Sequence, residues 1–113
     1  MSTDQTIGII GSGQLGSMLC QAAKKINVKT VVISDDKNGP AQNFCDQFIY
    51  STYDNSENIK KFIDTTDRKV ILLYKYSKQV TDFYKDCNQY IVDQWGRQTS
   101  STKYANEVLI ANF

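Results

Sequence analysis

Ile7 to Gly16 reads Ile-Gly-Ile-Ile-Gly-Ser-Gly-Gln-Leu-Gly, a short apolar run feeding a Gly-x-Gly-x-x-Gly turn. The chemistry this spacing offers is anion binding by the backbone. A strand that ends in glycines and opens a helix leaves amide donors without carbonyl partners. Those donors and the positive end of the helix dipole suit a phosphate. Gly11 and Gly13 would permit the tight turn and a close approach of backbone to ligand, and Gly16 would let the helix pack on its strand. The candidate phosphate ligands are therefore Gly11, Gly13, Gln14, Leu15 and Gly16. Asp35 follows about 20 residues later, where dinucleotide folds place an acid for a ribose hydroxyl. A glycine turn that only packs a helix on a sheet would read the same way.

Other reactive groups are sparse. The chain has no histidine, which removes the commonest general base and metal ligand. Asp35, Asp36 and Asp54 are scattered over loops, and no nucleophile–base pair is visible, so no catalytic residue and no metal site is assigned. The three cysteines, Cys20, Cys45 and Cys87, are widely spaced and odd in number, which argues against a zinc site or a disulfide framework. Cys20 and Cys87 read as small core residues near apolar helix faces. The net charge of +1 and the isolated doublets Lys24-Lys25 and Lys60-Lys61 exclude a nucleic-acid footprint. The start of the chain carries neither a signal peptide nor a membrane span, and a cytoplasmic location is the expectation.

The elements that must position the glycines alternate between strand and helix. Ile7, Ile9 and Ile10 form the first strand. Leu15, Met18, Leu19, Ala22, Ala23 and Ile26 mark one helix face. Val28, Val31, Val32 and Ile33 form the second strand, ending at Ser34-Asp35-Asp36. Gly39-Pro40 breaks the chain before a short helical turn at 41–45, and Phe48-Ile49-Tyr50 is a brief third strand. Ile59, Phe62 and Ile63 mark an amphipathic helix with Ser56 as its expected N-cap. Val70 to Tyr74 is a buried strand. Val80, Phe83, Tyr84 and Cys87 repeat helical spacing, and Tyr90-Ile91-Val92 is an edge-like fifth strand. A polar loop at 95–102 leads to a last helix from about Lys103, with Ala105, Val108 and Leu109 as its stripe. The expectation is one α/β domain over 1–113, a parallel sheet with helices on both faces and strand order 3-2-1-4-5. The ligand crevice would lie at the carboxyl ends of strands 1 and 4.

Three groups of residues resemble 5-(carboxyamino)imidazole ribonucleotide synthase, the ATP-grasp enzyme of purine biosynthesis. They are Ile7 to Gly16, Asp35 with Gly39-Pro40-Ala41, and Cys45-Asp46-Gln47-Phe48-Ile49. That family shows Gly-Gly-Gly-Gln-Leu-Gly after its first strand, an Asp ending the second, Pro-Ala opening the next helix and Ala-Asp before the third strand. Tyr53-Asp54 also sits where the family has a Tyr-Asp pair. The resemblance implies a Rossmann-like preATP-grasp domain whose glycine loop holds the 5′-phosphate of a ribonucleotide substrate. It implies Asp35 and Tyr74 as ribose or substrate contacts and Lys103 as a nucleotide contact. ATP and magnesium would belong to the ATP-grasp and central domains; the expectation is that the ATP-grasp and C-terminal domains are absent from this chain, so that it would not catalyse alone.

The chain departs from the family after the fourth strand. Where the family has Tyr-Glu-Phe-Glu-Asn, residues 74–79 read Tyr-Lys-Tyr-Ser-Lys-Gln. Lys103, in Thr102-Lys103-Tyr104, fits a basic position of the family, but Glu107 stands where a lysine is expected. Two other functions fit the same residues. One is an NAD-binding Rossmann domain, with the glycines on a pyrophosphate and Asp35 on the adenosine ribose. The other is a non-enzymatic interaction domain that self-associates, as a homodimer, through the final helix.

Overall fold

The computed structural model describes residues 5–66, 69–101 and 103–113. Residues 1–4, with the expected lack of a leader, and the Thr102 end of the expected polar loop lie outside the described residues. Six strands form one sheet: β1 (Thr6–Ile10), β2 (Lys29–Ser34), β3 (Gln47–Tyr50), β4 (Val70–Lys75), β5 (Asn88–Val92) and β6 (Glu107–Ala111). The helices are α1 (Gln14–Lys25), α2 (Ser56–Thr65) and α3 (Lys78–Phe83), with a 3₁₀ turn at Pro40–Asn43. The spatial order is β3-β2-β1-β4-β6-β5. The first four strands are parallel and in the expected order, and β5 is an edge strand.

The difference is β6. The segment read as a terminal helix is a strand, antiparallel to both β4 and β5 and inserted between them, with Leu73 opposite Leu109 and Ile91 opposite Val108. Val108, Leu109, Ile110 and Ala111 form a continuous apolar run, which suits a strand buried on both faces better than one helical stripe. Val108 and Ile110 are buried there. Because β6 runs against its neighbours, its first residue, Glu107, lies level with Lys75 at the carboxyl end of β4.

Each face of the parallel half carries its own core. On one face Ile9 and Val32 pack with Cys20 of α1 and Ala41 of the 3₁₀ turn, flanked by Leu19 and Leu73. On the other, Val31 and Ile33 pack on Phe62 of α2, flanked by Ile10, Ile59 and Val70. The buried face of α1 is turned from the expected one. Ser17 and Cys20 are buried with Leu15 and Ala23, while Met18, Ala22 and Ile26 are exposed. Burial pushes the Cys20 thiol pKa up, in keeping with an inert core residue. Cys87 instead lies past the end of α3, in a turn where its N–H donates to the Tyr84 carbonyl at 2.9 Å. The lysine doublets are exposed.

Two side-chain joints fix the starts of β3 and α2. Asp46 pins the start of β3 to β2: its carboxylate accepts from the Thr30 amide at 2.8 Å, and its own amide donates to the Thr30 carbonyl at 3.1 Å. The N-cap of α2 is Asn55 rather than Ser56, and its side chain accepts from the Asn58 amide at 3.1 Å. Asn55 holds the extended backbone that a cap requires, whereas Ser56 is already helical.

Candidate functional site

The glycine loop sits at the carboxyl end of β1, the central strand of the parallel half. Gly11 adopts φ +123°, a conformation that disfavours any side chain, and its amide is tied to the Ile33 carbonyl at 3.0 Å. Gly16 is the point of closest packing: a Cβ there would lie 2.8 Å from the Gly11 carbonyl oxygen. Gly13 is different. Its backbone angles are ordinary, and a Cβ there would meet nothing within 4 Å. The space in front of Gly13 is open.

The helix that begins here is uncapped. Gly13 is the N-cap of α1, no side chain caps it, and the first turn holds no acidic residue. Among the described residues, no backbone carbonyl accepts from the amides of Gly13, Gln14 or Leu15; the first amide engaged is that of Ser17, with the Gly13 carbonyl at 3.0 Å. The other two helices are finished by their own side chains, α2 by Asn55 and α3 by Ser77. Helix ends without such partners take them from solvent or ligand, and here free donors and the helix dipole combine at one open place.

A cleft of about 360 Å³ borders this end of α1. Gln14, Leu15 and Met18 line one side, and Val92, Asp93, Trp95, Gly96 and Glu107 the other. The second wall comes from the 93–106 connection and the start of β6. Its geometry is set by Asp93, whose carboxylate accepts from the Trp95 amide at 2.9 Å, the Arg97 amide at 3.0 Å and the Arg97 guanidinium at 3.1 Å. Desolvation alone would raise the Asp93 carboxyl, but the Arg97 and Trp95 amides and the Arg97 guanidinium outweigh it and hold its pKa below the usual carboxylate value. Glu107 has the opposite bias: partial burial pushes its carboxyl pKa up. Helical spacing from Lys103 and a polar loop at 95–102 give no sign of this wall, because Glu107 begins a strand instead. The signal that could have found it is the apolar run after Glu107, the same type of run that identified β4.

The remaining predicted residues do not line this cleft. Asp35 is exposed at the end of β2. Its neighbour Asp36 is the acid built into the loop: its amide donates to Ser34 Oγ at 3.0 Å and its carboxylate accepts from the Asn38 amide at 2.9 Å. Tyr74 is exposed near the end of β4. Leu73 packs on the α1 side, so strand alternation turns Tyr74 to the opposite face. There it borders a separate space with Ser77, Val80, Phe83 and Tyr84. Lys103 is exposed in the 93–106 connection, its ammonium 5.5 Å from the centre of the Tyr104 ring. Among the described residues no three His, Cys, Asp or Glu side chains gather as a metal site would require. No described helix is long and apolar enough to cross a membrane.

An open α/β sheet with an uncapped helix at the end of its central strand is the frame in which nucleotide-type ligands bind. Residues 4–73 match the model of the ribonucleotide synthetase preATP-grasp domain, and the chain belongs to that family. It is 31% identical over 84 residues to N5-carboxyaminoimidazole ribonucleotide synthase of Staphylococcus epidermidis, an alignment covering 74% of this chain and 22% of that protein. The same enzyme of Staphylococcus aureus is 34% identical over 71 residues, 63% of this chain and 18% of the relative. The crystal structure of the Thermotoga maritima synthetase aligns with 35% identity over 56% of this chain and 18% of its own, at a TM-score of 0.52. A Staphylococcus aureus synthetase complexed with ADP covers 97% of this chain and 48% of its own, at a TM-score of 0.55 and 16% identity, a likeness of fold. The chain thus spans about a fifth of the length of the sequence relatives it matches.

Proposed function

We propose that this chain is the N-terminal, substrate-phosphate-binding domain of a synthase that carboxylates aminoimidazole ribonucleotide with ATP and bicarbonate in the cytoplasm. The observation that carries the reading is the uncapped start of α1, where the amides of Gly13, Gln14 and Leu15 have no carbonyl partner among the described residues and the space at Gly13 is open. On this reading the loop holds the 5′-phosphate and so fixes the ribonucleotide for chemistry performed elsewhere. ATP and magnesium would be bound by other domains. The described acidic residues do not gather into a magnesium site. Lys103, on the exposed connection, would meet the nucleotide from outside this domain. Asp35 and Tyr74 would be peripheral contacts. Titration of the isotope-labelled chain with ribose 5-phosphate tests the proposal. Saturable shifts of the amides at 12–16 at millimolar ligand are expected, and their absence would reject it.

The alternative ligand, NAD, would need the β2 side of the same crevice for its adenosine ribose. Residues 36–41 pass over that side: the Ala41 amide donates to the Ser12 carbonyl at 3.0 Å, and Gly39 packs so closely that a Cβ would lie 2.5 Å from the same oxygen. This favours a small phosphate ester over a dinucleotide. Self-association through a terminal helix loses its basis, because that segment is β6, paired on both sides.

A further inference from the structure

Ser12 stands inside the glycine turn, yet its side chain points away from the open space. It is buried, and its hydroxyl donates to Ser34 Oγ at 2.8 Å and lies 3.3 Å from the Asp36 carbonyl oxygen. Ser34 is buried as well, and its hydroxyl accepts the Asp36 amide at 3.0 Å. The Ser12 carbonyl takes the Ala41 amide, and Gly39 rests on Ser12 with no room for a methyl group. Two loops are thereby joined at one residue: the turn that presents the amides of Gly13, Gln14 and Leu15, and the 36–41 segment that follows β2. We infer that Ser12, through its hydroxyl pair with Ser34, is a positioning residue that aims the amide cradle and closes it on the β2 side, making the site selective for a terminal phosphate monoester over a pyrophosphate that carries a nucleoside on each side.

The physical argument rests on two costs. An amide cradle binds an anion well only if its donors are held in place before the ligand arrives, since ordering them on binding would consume part of the interaction. The buried hydroxyl pair supplies that order from below, where it does not compete with the ligand. A ligand that extends past the cradle toward β2 must displace segment 36–41, which costs the Ala41 hydrogen bond and the Gly39 contact. A ligand ending in its phosphate need not disturb either.

The inference rests on the phosphate-site reading above, and the experiment separates the two. The labelled full chain and its Ser34→Ala, Ser12→Ala and doubly substituted variants are titrated with ribose 5-phosphate and, separately, with NAD, and amide hydrogen exchange at Ala41 is followed. In the unsubstituted chain, ribose 5-phosphate should bind and NAD should not. Each single variant should weaken ribose 5-phosphate roughly five- to tenfold, the effect of one lost hydrogen bond. Ala41 exchange should quicken, and the double variant should lose clearly less than the sum of the two single losses, because both remove the shared Ser12–Ser34 bond. Ser12→Ala breaks the pair from the other end if Ser34→Ala does not fold. Folded variants with unchanged affinity, or NAD binding as tight as that of ribose 5-phosphate in the unsubstituted chain, would overturn the positioning role alone. No ribose 5-phosphate binding in the unsubstituted chain would overturn this inference together with the site.

Discussion

The β1–α2 half and the β4–β6 half of the sheet are built on different principles. In the first, backbone touches backbone or ring at defined points. A Cβ on Gly8 would stand 2.5 Å from Phe62 Cζ, one on Gly16 would press on the Gly11 carbonyl, and one on Gly39 would press on Ser12. Each strand–helix joint tolerates little more than a hydrogen atom. In the second half the strands are held by ladder pairing, and α3 buries none of its residues. Phe83, at its end, is 80% exposed, whereas Phe62 of α2 is fully buried. The family match covers the first half and stops at residue 73. The comparison teaches that the glycine joints of the first half leave less room for substitution than the paired strands and exposed helix of the second.

Truncating the two phenylalanines gives the widest contrast. Phe62→Ala should cost about 3–5 kcal/mol, the penalty for emptying a buried aromatic site. Phe83→Ala should stay within about 0.5 kcal/mol, as exposed substitutions do. Urea unfolding of the two variants decides the matter, and equal losses would break the distinction between the halves. Gly16→Ala sharpens it. Alanine favours a helix over glycine by about 1 kcal/mol, so a stabilised variant would show that the approach to the Gly11 carbonyl is loose. The expected result is the reverse, a loss of about 1–2 kcal/mol from overpacking.

The same contrast explains what could be read in advance. The glycines and the apolar periodicity between Ile7 and Ile63 located β1, α1, β2, β3 and α2, because each signal there has one physical cause. The face of α1 came out rotated because Gly16, Ser17 and Cys20 are buried where backbone approaches closely, and small residues carry little hydrophobic signal. The terminal strand was missed because Ala105, Val108 and Leu109 satisfy helical spacing by chance, while the slot between β4 and β5 that receives β6 is a tertiary fact. The cleft wall was missed with it. The open amides of α1 were legible from the motif, whereas the Ser12–Ser34 pair joins positions too far apart in sequence to suggest contact.

Gly13→Val addresses the loop directly. The backbone angles are ordinary and the surroundings open, but Gly13 is the N-cap of α1, where glycine is favoured over valine, so the variant should lose about 1 kcal/mol and still fold. Its branched side chain would occupy the space an anion needs, and ribose 5-phosphate affinity should fall at least about tenfold, the loss of the amide contacts. This variant separates binding from folding, which Gly11 and Gly16 cannot do. Retained affinity in the folded variant would move the phosphate off this loop.

The smallest effect concerns Glu107, where the second half of the molecule reaches the cleft formed by the first. Burial raises its carboxyl above the ordinary value of 4.5 in the folded chain. The folded state therefore holds this proton more tightly than the unfolded state, and stability falls as pH rises from the unfolded pKa through the raised folded one. Glu107→Gln removes that slope. The variant should match the unsubstituted chain at about pH 4 and exceed it at neutral pH by a few tenths of a kcal/mol, a figure kept small because the side chain is half-exposed and water screens it. Glu107 also lines the same cleft as Gln14 and Leu15, so its ionised carboxylate would oppose a phosphate bound there. At fixed neutral pH, removing its charge should tighten ribose 5-phosphate about two- to threefold, as expected for a screened repulsion across several ångströms. Thermal unfolding against pH and a titration at one pH measure the two effects separately. A gain in stability without a gain in affinity would place Glu107 in the wall of the cleft but out of electrostatic reach of the bound anion.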